Sequence, residues 1–582
     1  MKSLLLSRAR LFAPVLVAVV GLQSANALAQ APPAPTIAWM PESVPLNNGS
    51  ASVTVSWDMW WGNNGNRWKL KQNGTVVHTA ALTPNGQNAQ HATHTLNLAA
   101  AGNYSFVVDL CNGSGASEQC TASAPRSVTV GGSSGGSDGL TWPAPLLEHN
   151  RPYANSTNAV VAAYFVEWGI YGRAFPVRKM PTSNLSHIIY AFIAICGPND
   201  SLLAANPQGY QALMQECADQ PDYTVTIHDR NAALDTSYPG DTSTTPIRGN
   251  FGQLIRAKAA QPGLKILPSI GGWTLSDPFY HLANDPARRT TFINSAIQFL
   301  QTYTFFDGID LDWEYPGGGG ANDLLGAATD RAGYNALLTE LRTALDALGA
   351  QNNRQYLLTA AVGAAPAKIA AVDYAVAAQK LDLVFAMSYD YYGGWNNVLG
   401  HQAGLREAPG LTAPGWNGSA TIANLRAAGV PAAKLVLGVA MYGRGWQGLS
   451  GVQNGNPFSG TAAGAASPGT WENGVFDYRQ IESAFLGGEN GSGAGGYVAG
   501  YDATAEAAWV WNASAGKLIS FESSRSARAK GQFARSNGLA GVFGWEIDAD
   551  NGRILNAMHE GLGHGSANAD SLFADDFQVH TP

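Results

Sequence analysis

Phe306-Asp307-Gly308-Ile309-Asp310-Leu311-Asp312-Trp313-Glu314-Tyr315-Pro316 combines an apolar run of strand length with acids at every second position. Side chains alternate along a strand, so Asp310, Asp312 and Glu314 share one face, neighbouring α-carbons being about 6.5 to 7 Å apart. Carboxylates that close cannot all ionise at neutral pH, and one that keeps its proton can give it to a leaving group. An exposed acidic edge strand or a calcium site would have a similar composition. The flanking apolar residues argue for a buried strand with inward-facing acids, and the run lacks the glycine-turned loop of an EF-hand.

Strand-length apolar runs recur at 160–166, 187–195, 264–270, 306–311, 356–362, 383–387, 435–441 and 539–545, with helical stretches between them. Strands without a polar face, alternating with helices, predict a (β/α)8 TIM barrel over 159–562. The long gaps after the second and seventh runs predict insertions. The later one, 443–518, has the length of a small α+β subdomain, which on a barrel rises over the carboxyl ends of the strands and walls the site.

Ahead of the barrel the pattern is all-β. Ser52-Val53-Thr54-Val55-Ser56-Trp57 alternates polar and apolar, and Asn73-Gly74 and Asn85-Gly86 are turn signals, so residues 32–130 read as a small sandwich with Trp57 in its core. Gly and Ser fill 131–139, the composition of a flexible linker, which is expected to run to 158. Residues 563–582 read as a disordered tail. At the start, Lys2, Arg8 and Arg10 precede a short apolar stretch and the Ala27-Leu28-Ala29 cleavage pattern, which predicts a secretory signal, residues 1–29, removed after Ala29.

Only 13% of the 582 residues are charged, 45% are hydrophobic, and the net charge is −8 without a basic block. Nucleic acid and anionic membranes are therefore poor partners. The 16 Trp and 21 Tyr suit a neutral ring-shaped ligand such as a sugar. The four cysteines fall as two sequence-near pairs, Cys111 with Cys120 and Cys196 with Cys217; export makes two disulfides the expected outcome, and the spacings match no zinc ligand set.

The acidic run resembles the D-G-x-D-x-D-W-E signature of family 18 glycoside hydrolases, the chitinase family. Further motifs follow in that family's order: Ser269-Ile270-Gly271-Gly272-Trp273, Met387-Ser388-Tyr389-Asp390, Met441-Tyr442-Gly443-Arg444 and Gly544-Trp545-Glu546. Tyr164-Phe165-Val166-Glu167-Trp168 and Thr470-Trp471-Glu472-Asn473-Gly474 are similar to stretches of secreted bacterial enzymes of this family that carry an N-terminal fibronectin/Ig-like module.

The resemblance implies Glu314 as general acid, Asp312 orienting the substrate's N-acetyl group, Asp310 sharing a proton with Asp312, and Tyr389 donating to the acetamido oxygen. Met387, Asp390, Tyr442 and Arg444 would shape the same pocket, Trp545 would be its floor, and Trp168, Trp273, Trp395 and Trp471 would stack on sugars. Glu472 would accept a sugar hydroxyl, and Trp39 and Trp60 would lead chitin toward the cleft from the module. No metal or organic cofactor is implied. The expected protein is a secreted monomer acting on chitin and N-acetylglucosamine oligomers. Between His228 and Phe251, where relatives active on crystalline chitin carry surface aromatics, this chain has Arg230-Asn231 and Ser243-Thr244-Thr245, which implies a weaker hold on crystals. A chitin-binding lectin on the same fold and an endo-β-N-acetylglucosaminidase acting on glycoprotein glycans are the competing readings. The retained Glu314 opposes the first, and the long tryptophan-lined cleft opposes the second.

Overall fold

The structure, a computed structural model, describes residues 30–565 apart from 38–39, 41–42, 45–49, 60–61, 87, 101, 131–140, 243, 409 and 411–412. The signal segment, Trp39, Trp60, the Gly/Ser stretch and residues 566–582 lie outside the described residues.

The N-terminal part is built of two sheets. Alternation along Ala51–Met59 buries Val53, Val55, Trp57 and Met59 and turns Ser52 and Thr54 outward. This strand lies between Thr36–Ile37 and Gln90–Leu98. The second sheet runs in the order Ser43–Val44, Arg126–Val130, Gly102–Asn112, Arg67–Gln72, Thr75–Ala81, with Gln119–Ala122 added to Gly102–Asn112. Asn73 and Gly74, at φ of 49° and 81°, make the two-residue hairpin that twist-matched antiparallel strands require. Trp57 packs on Trp68 at 5.6 Å between ring centroids, and the Cys111–Cys120 disulfide joins two residues directly opposite each other.

The C-terminal part is a closed parallel barrel of β1 (Val160–Val166), β2 (His187–Ile195), β3 (Lys265–Gly271), β4 (Gly308–Asp312), β5 (Leu357–Gly363), β6 (Leu383–Met387), β7 (Leu435–Ala440) and β8 (Gly541–Trp545). Each strand pairs with the next, and β8 returns to β1. Helices follow the strands and bury one face against them. Asp285 starts the helix Pro286–Thr302 by accepting from the Ala287 and Arg288 N–H groups, and Asn417 does the same for Gly418–Ala427 through Ala420.

Both insertions are present. Between β2 and β3, helices Asp200–Ala205 and Pro207–Glu216 precede a strand, Val225–Ile227, which adds antiparallel to the end of β2; the Cys196–Cys217 disulfide closes this excursion. After β7 the chain turns at Met441 into a sheet whose strands run from Tyr442–Gln447 to Lys517–Phe521, slightly wider than the expected 443–518.

Several boundaries differ from expectation, three of them instructively. The fourth strand begins at Gly308, two residues late; Asp307, just before it, turns its buried carboxylate to the Ile266 N–H (2.8 Å) and to Lys258 and Arg354. The segment before the barrel is no linker over its whole length: Tyr153 is buried and stacks on His559 at 4.6 Å, and the His149 N–H donates to Asn551 O. At the other end His564, assigned to the tail, is buried against His559 and Thr157.

Candidate active site

The barrel register fixes the first acid. Ser269 on β3, Asp310 on β4 and Thr359 on β5 are direct partners in adjacent ladders, so their side chains enter the barrel at one level. Asp310 is fully buried and accepts three hydroxyls, from Ser269 (2.8 Å) and Tyr164 (3.0 Å) on Oδ2 and from Thr359 (2.5 Å) on Oδ1. Burial pushes its carboxyl up, and these three bonds pull against that.

Asp312 is the next inward residue. It is 3% exposed and its Oδ1 has no hydrogen-bond partner. Burial first, then the neighbouring charges of Glu314 and Asp310, push its carboxyl well above the usual range. Its backbone can sit this close because β3 ends in Gly271 and Gly272 at φ of 112° and 98°. A Cβ on Gly271 would lie 2.3 Å from the Asp312 carbonyl oxygen, and the Gly272 N–H donates to that oxygen at 2.8 Å.

Glu314 lies two residues beyond the end of β4, half-buried at the cleft floor. Its N–H donates to Ser276 Oγ (2.9 Å) and its carbonyl accepts from Tyr280 Oη (3.2 Å), so its backbone is clamped from the β3 side. Its carboxyl is pushed up to about 7, chiefly by burial and also by the charge of Asp390, against the opposing Tyr315 hydroxyl and Lys368 ammonium. Lys368 sits over the Tyr315 ring at 4.5 Å.

A second cluster faces these acids from β6 and β7. Tyr389 is 9% exposed and packs edge-on against Tyr442 and Phe543. Asp390, at φ of 56°, accepts Tyr442 Oη (2.6 Å) and Arg444 Nε (2.7 Å) on Oδ1 and Arg444 Nη2 (2.6 Å) on Oδ2. Such a bidentate pair fixes a carboxylate in orientation as well as charge. The buried Gln402 amide joins the two strand ends, accepting from the Asp390 N–H (3.1 Å) and donating to the Tyr442 carbonyl (3.0 Å). Met387 is half-buried at the end of β6.

The aromatics divide by exposure. Trp168, Trp273, Trp395 and Trp471 are 41, 50, 60 and 52% exposed, where the core tryptophans Trp57, Trp68, Trp313 and Trp446 do not exceed 2%. Trp545 ends β8 half-buried, stacked on Phe192 at 5.6 Å and edge-on to Tyr164 at 5.4 Å; Phe192 in turn touches Trp168 at 6.1 Å. Trp395 lies beneath the Arg444 guanidinium at 5.1 Å. Trp471, on the inserted wall, donates to Asp477 Oδ2 (2.8 Å) and lies under Arg173 at 5.5 Å; its neighbour Glu472 is exposed.

The expected residues on the barrel and its wall thus gather at the carboxyl ends of the strands. Residues not singled out beforehand as part of the site are the donors and clamps Tyr164, Ser269, Ser276, Tyr280, Thr359, Lys368 and Gln402. Arg173, which ion-pairs with Glu546 and Asp548, is another. Tyr164 and Ser269 stood inside motifs already quoted; the rest are single polar residues whose partners are dozens of positions away.

One acid poised near neutrality, at the end of the barrel where aromatic faces are exposed, is equipment for protonating the oxygen between two sugars, and on this barrel it defines a glycoside hydrolase. Residues 160–550 match the glycosyl hydrolases family 18 model, and residues 34–157 match that of the chitinase A N-terminal domain. The chain belongs to glycosyl hydrolase family 18. It is 43% identical, over 94% of its length and 70% of the relative's, to a chitinase A of Pseudoalteromonas piscicida. It is 44% identical to a probable endochitinase of Orgyia pseudotsugata multicapsid polyhedrosis virus, covering 89% of this chain and 91% of that one. Among solved structures, chitinase ChiA74 from Bacillus thuringiensis superposes with a TM-score of 0.63 at 31% identity over 70% of each chain. The catalytic domain of a psychrophilic chitinase B from Arthrobacter TAD20 gives 0.59 at 31% identity, over 70% of this chain and 97% of that one.

Proposed function

We propose that the chain is a secreted chitinase that hydrolyses β-1,4 links between N-acetylglucosamine units with retention of configuration, the substrate's own acetamido oxygen acting as nucleophile. The observation that carries this reading is the state of the three acids. Asp310 is sealed and met by three hydroxyls, the Asp312 carboxyl is pushed well above its usual range by burial and its acidic neighbours, and the Glu314 carboxyl is pushed up to about 7. Asp390 is locked by Arg444 and Tyr442. A covalent glycosyl-enzyme needs an ionised carboxylate free to face the anomeric carbon; Asp310 and Asp390 are bonded to their neighbours, and burial disfavours the ionised forms of Asp312 and Glu314.

The steps then balance as follows. Glu314 gives its proton to the glycosidic oxygen as the bond from that oxygen to C1 breaks. The acetamido carbonyl oxygen bonds to C1 from the opposite face, closing an oxazolinium ring whose N–H is held by Asp312. Water enters on the face left by the departing sugar, loses a proton to Glu314, bonds to C1 and reopens the ring, which regenerates the acid. Tyr389 donates to the acetamido oxygen, and Met387, Asp390, Tyr442 and Arg444 shape the pocket around it. Trp545 lies under the reacting sugar, Trp168, Trp273, Trp395 and Trp471 stack along the chain, and Glu472 accepts a hydroxyl. Trp39 and Trp60 guide chitin from the N-terminal module. The enzyme works as a monomer on chitin and its oligomers, with no cofactor and no part for nucleic acid or membrane; removal of residues 1–29 precedes its work outside the cell.

The test uses a partly acetylated chitosan. Because the attacking oxygen belongs to the acetyl group, every new reducing end should be N-acetylated and first formed as the β anomer. Glucosamine at new reducing ends in the proportion of the starting polymer would overturn the mechanism.

A further inference from the structure

Lys530, on the helix Ser524–Ser536, is completely buried, and so is its ion-pair partner Glu522 at the exit of the inserted sheet. The ammonium donates to two backbone carbonyls, Gly438 O at 2.9 Å and Ser388 O at 3.1 Å. Two backbone groups beside Tyr389 are thereby touched. Ser388 precedes it in the chain, and a Cβ on Gly438 would lie 2.9 Å from Tyr389 Cε1. The Ser388 hydroxyl also donates to Gly438 O, at 2.9 Å.

The ladder between β6 and β7 ends at the Ala386 and Leu437 pair. Beyond it the carbonyls of Ser388 and Gly438 have no strand partner across that seam, and a buried carbonyl without a donor is costly. Lys530 gives Ser388 O a donor where the ladder has run out and adds a second donor to Gly438 O beside the Ser388 hydroxyl. A buried ion pair gains little stability over well-packed apolar groups of the same volume, so stability alone does not account for charges here. What the pair does provide is two carbonyls held at set positions on either side of one catalytic phenol.

We propose that Lys530, with Glu522 as its counter-ion, is a positioning residue that fixes the Ser388 and Gly438 carbonyls and so aims the Tyr389 hydroxyl at the substrate. This rests on the role of Tyr389 given above. The test is a double-mutant cycle. Lys530→Met with Glu522→Gln, which keeps side-chain volume and leaves no buried unpaired charge, is measured with Tyr389 present and again in Tyr389→Phe, on soluble N-acetylglucosamine oligomers. With Tyr389 present, kcat should fall on the order of tenfold with KM within about twofold; in Tyr389→Phe the same pair should change kcat by less than about twofold. Equal loss in both backgrounds would make the pair a general support of the fold and overturn the proposal, as would no loss in either. Should the pair not fold, Ser388→Ala replaces it, with a smaller loss again confined to the Tyr389 background, and equal loss in both again overturning. A Tyr389→Phe enzyme of full activity fails differently: it removes the role of Tyr389 itself, and the positioning role with it.

Discussion

Asp310, Asp312 and Glu314 are similar groups two residues apart, and the hydroxyls that meet each decide what it does. Three donors commit Asp310 to its neighbours, none reaches Asp312 Oδ1, and Glu314 holds its proton through burial, against the Tyr315 hydroxyl that donates to it and the Lys368 ammonium. Glu314→Gln keeps the shape and removes the proton, so turnover should fall by several orders of magnitude while oligomer binding, followed by tryptophan fluorescence, persists. Turnover near the unmodified rate would mean another acid does the work. The acid must be protonated, and burial holds it so up to about pH 7; kcat/KM should therefore fall about tenfold per pH unit above that point, on the limb that reports the free enzyme. The same shift has a stability consequence. Between the ordinary glutamate range and pH 7 the folded chain holds a proton the unfolded chain has released, so this group's contribution to stability is lost as pH rises through that window. Denaturant titrations should show the decline in the unmodified protein and a shallower one in Glu314→Gln.

The strand and its surroundings show how far the residues could be read in advance. Apolar runs located all eight barrel strands, because a parallel strand covered on both faces leaves no polar register to blur the pattern. The acids were legible for the opposite reason: charges at every second position inside such a run have no bland place to go. Boundaries were less legible: Asp307 falls inside the apolar run but lies just before β4, at its foot. There it joins Lys258, Lys265 and Arg354, whose charges come from other elements. Thr359, Gln402 and Lys530 could not be found beforehand at all, because a lone polar residue on a helix or strand reads as solvated until the fold buries it. Asp307 gives the test at this scale. Asp307→Ala leaves three cations around a buried hole and should cost roughly 3 to 5 kcal/mol of stability. The kcat of the folded fraction should stay near its starting value, because the site is at the other end of the strand. A kcat loss of orders of magnitude would show that the foot of the strand governs the head.

Over the whole chain the chemistry and the N-terminal sheets are separate in sequence: every acid and aromatic assigned to the cleft falls within 160–550, and the N-terminal domain match covers 34–157. The sheets also carry their own core, with Trp57, Trp68, Leu70, Phe106, Val108 and Leu110 buried. Nothing in the proton transfer asks for them. What a tethered module changes is the time the enzyme spends beside a surface, because a second attachment converts rebinding into an event within one complex. A soluble oligomer already diffuses freely to the cleft and gains nothing from that. Removing residues 30–130 should therefore lower the rate on insoluble chitin several-fold and leave kcat and KM on short N-acetylglucosamine oligomers within about twofold, the avidity term being the part lost. The two substrates must be compared on one preparation, with thermal unfolding followed alongside. Equal loss on both, with an unchanged unfolding temperature, would mean that the sheets take part in oligomer binding; equal loss with a lowered unfolding temperature would mean that the barrel leans on them to fold.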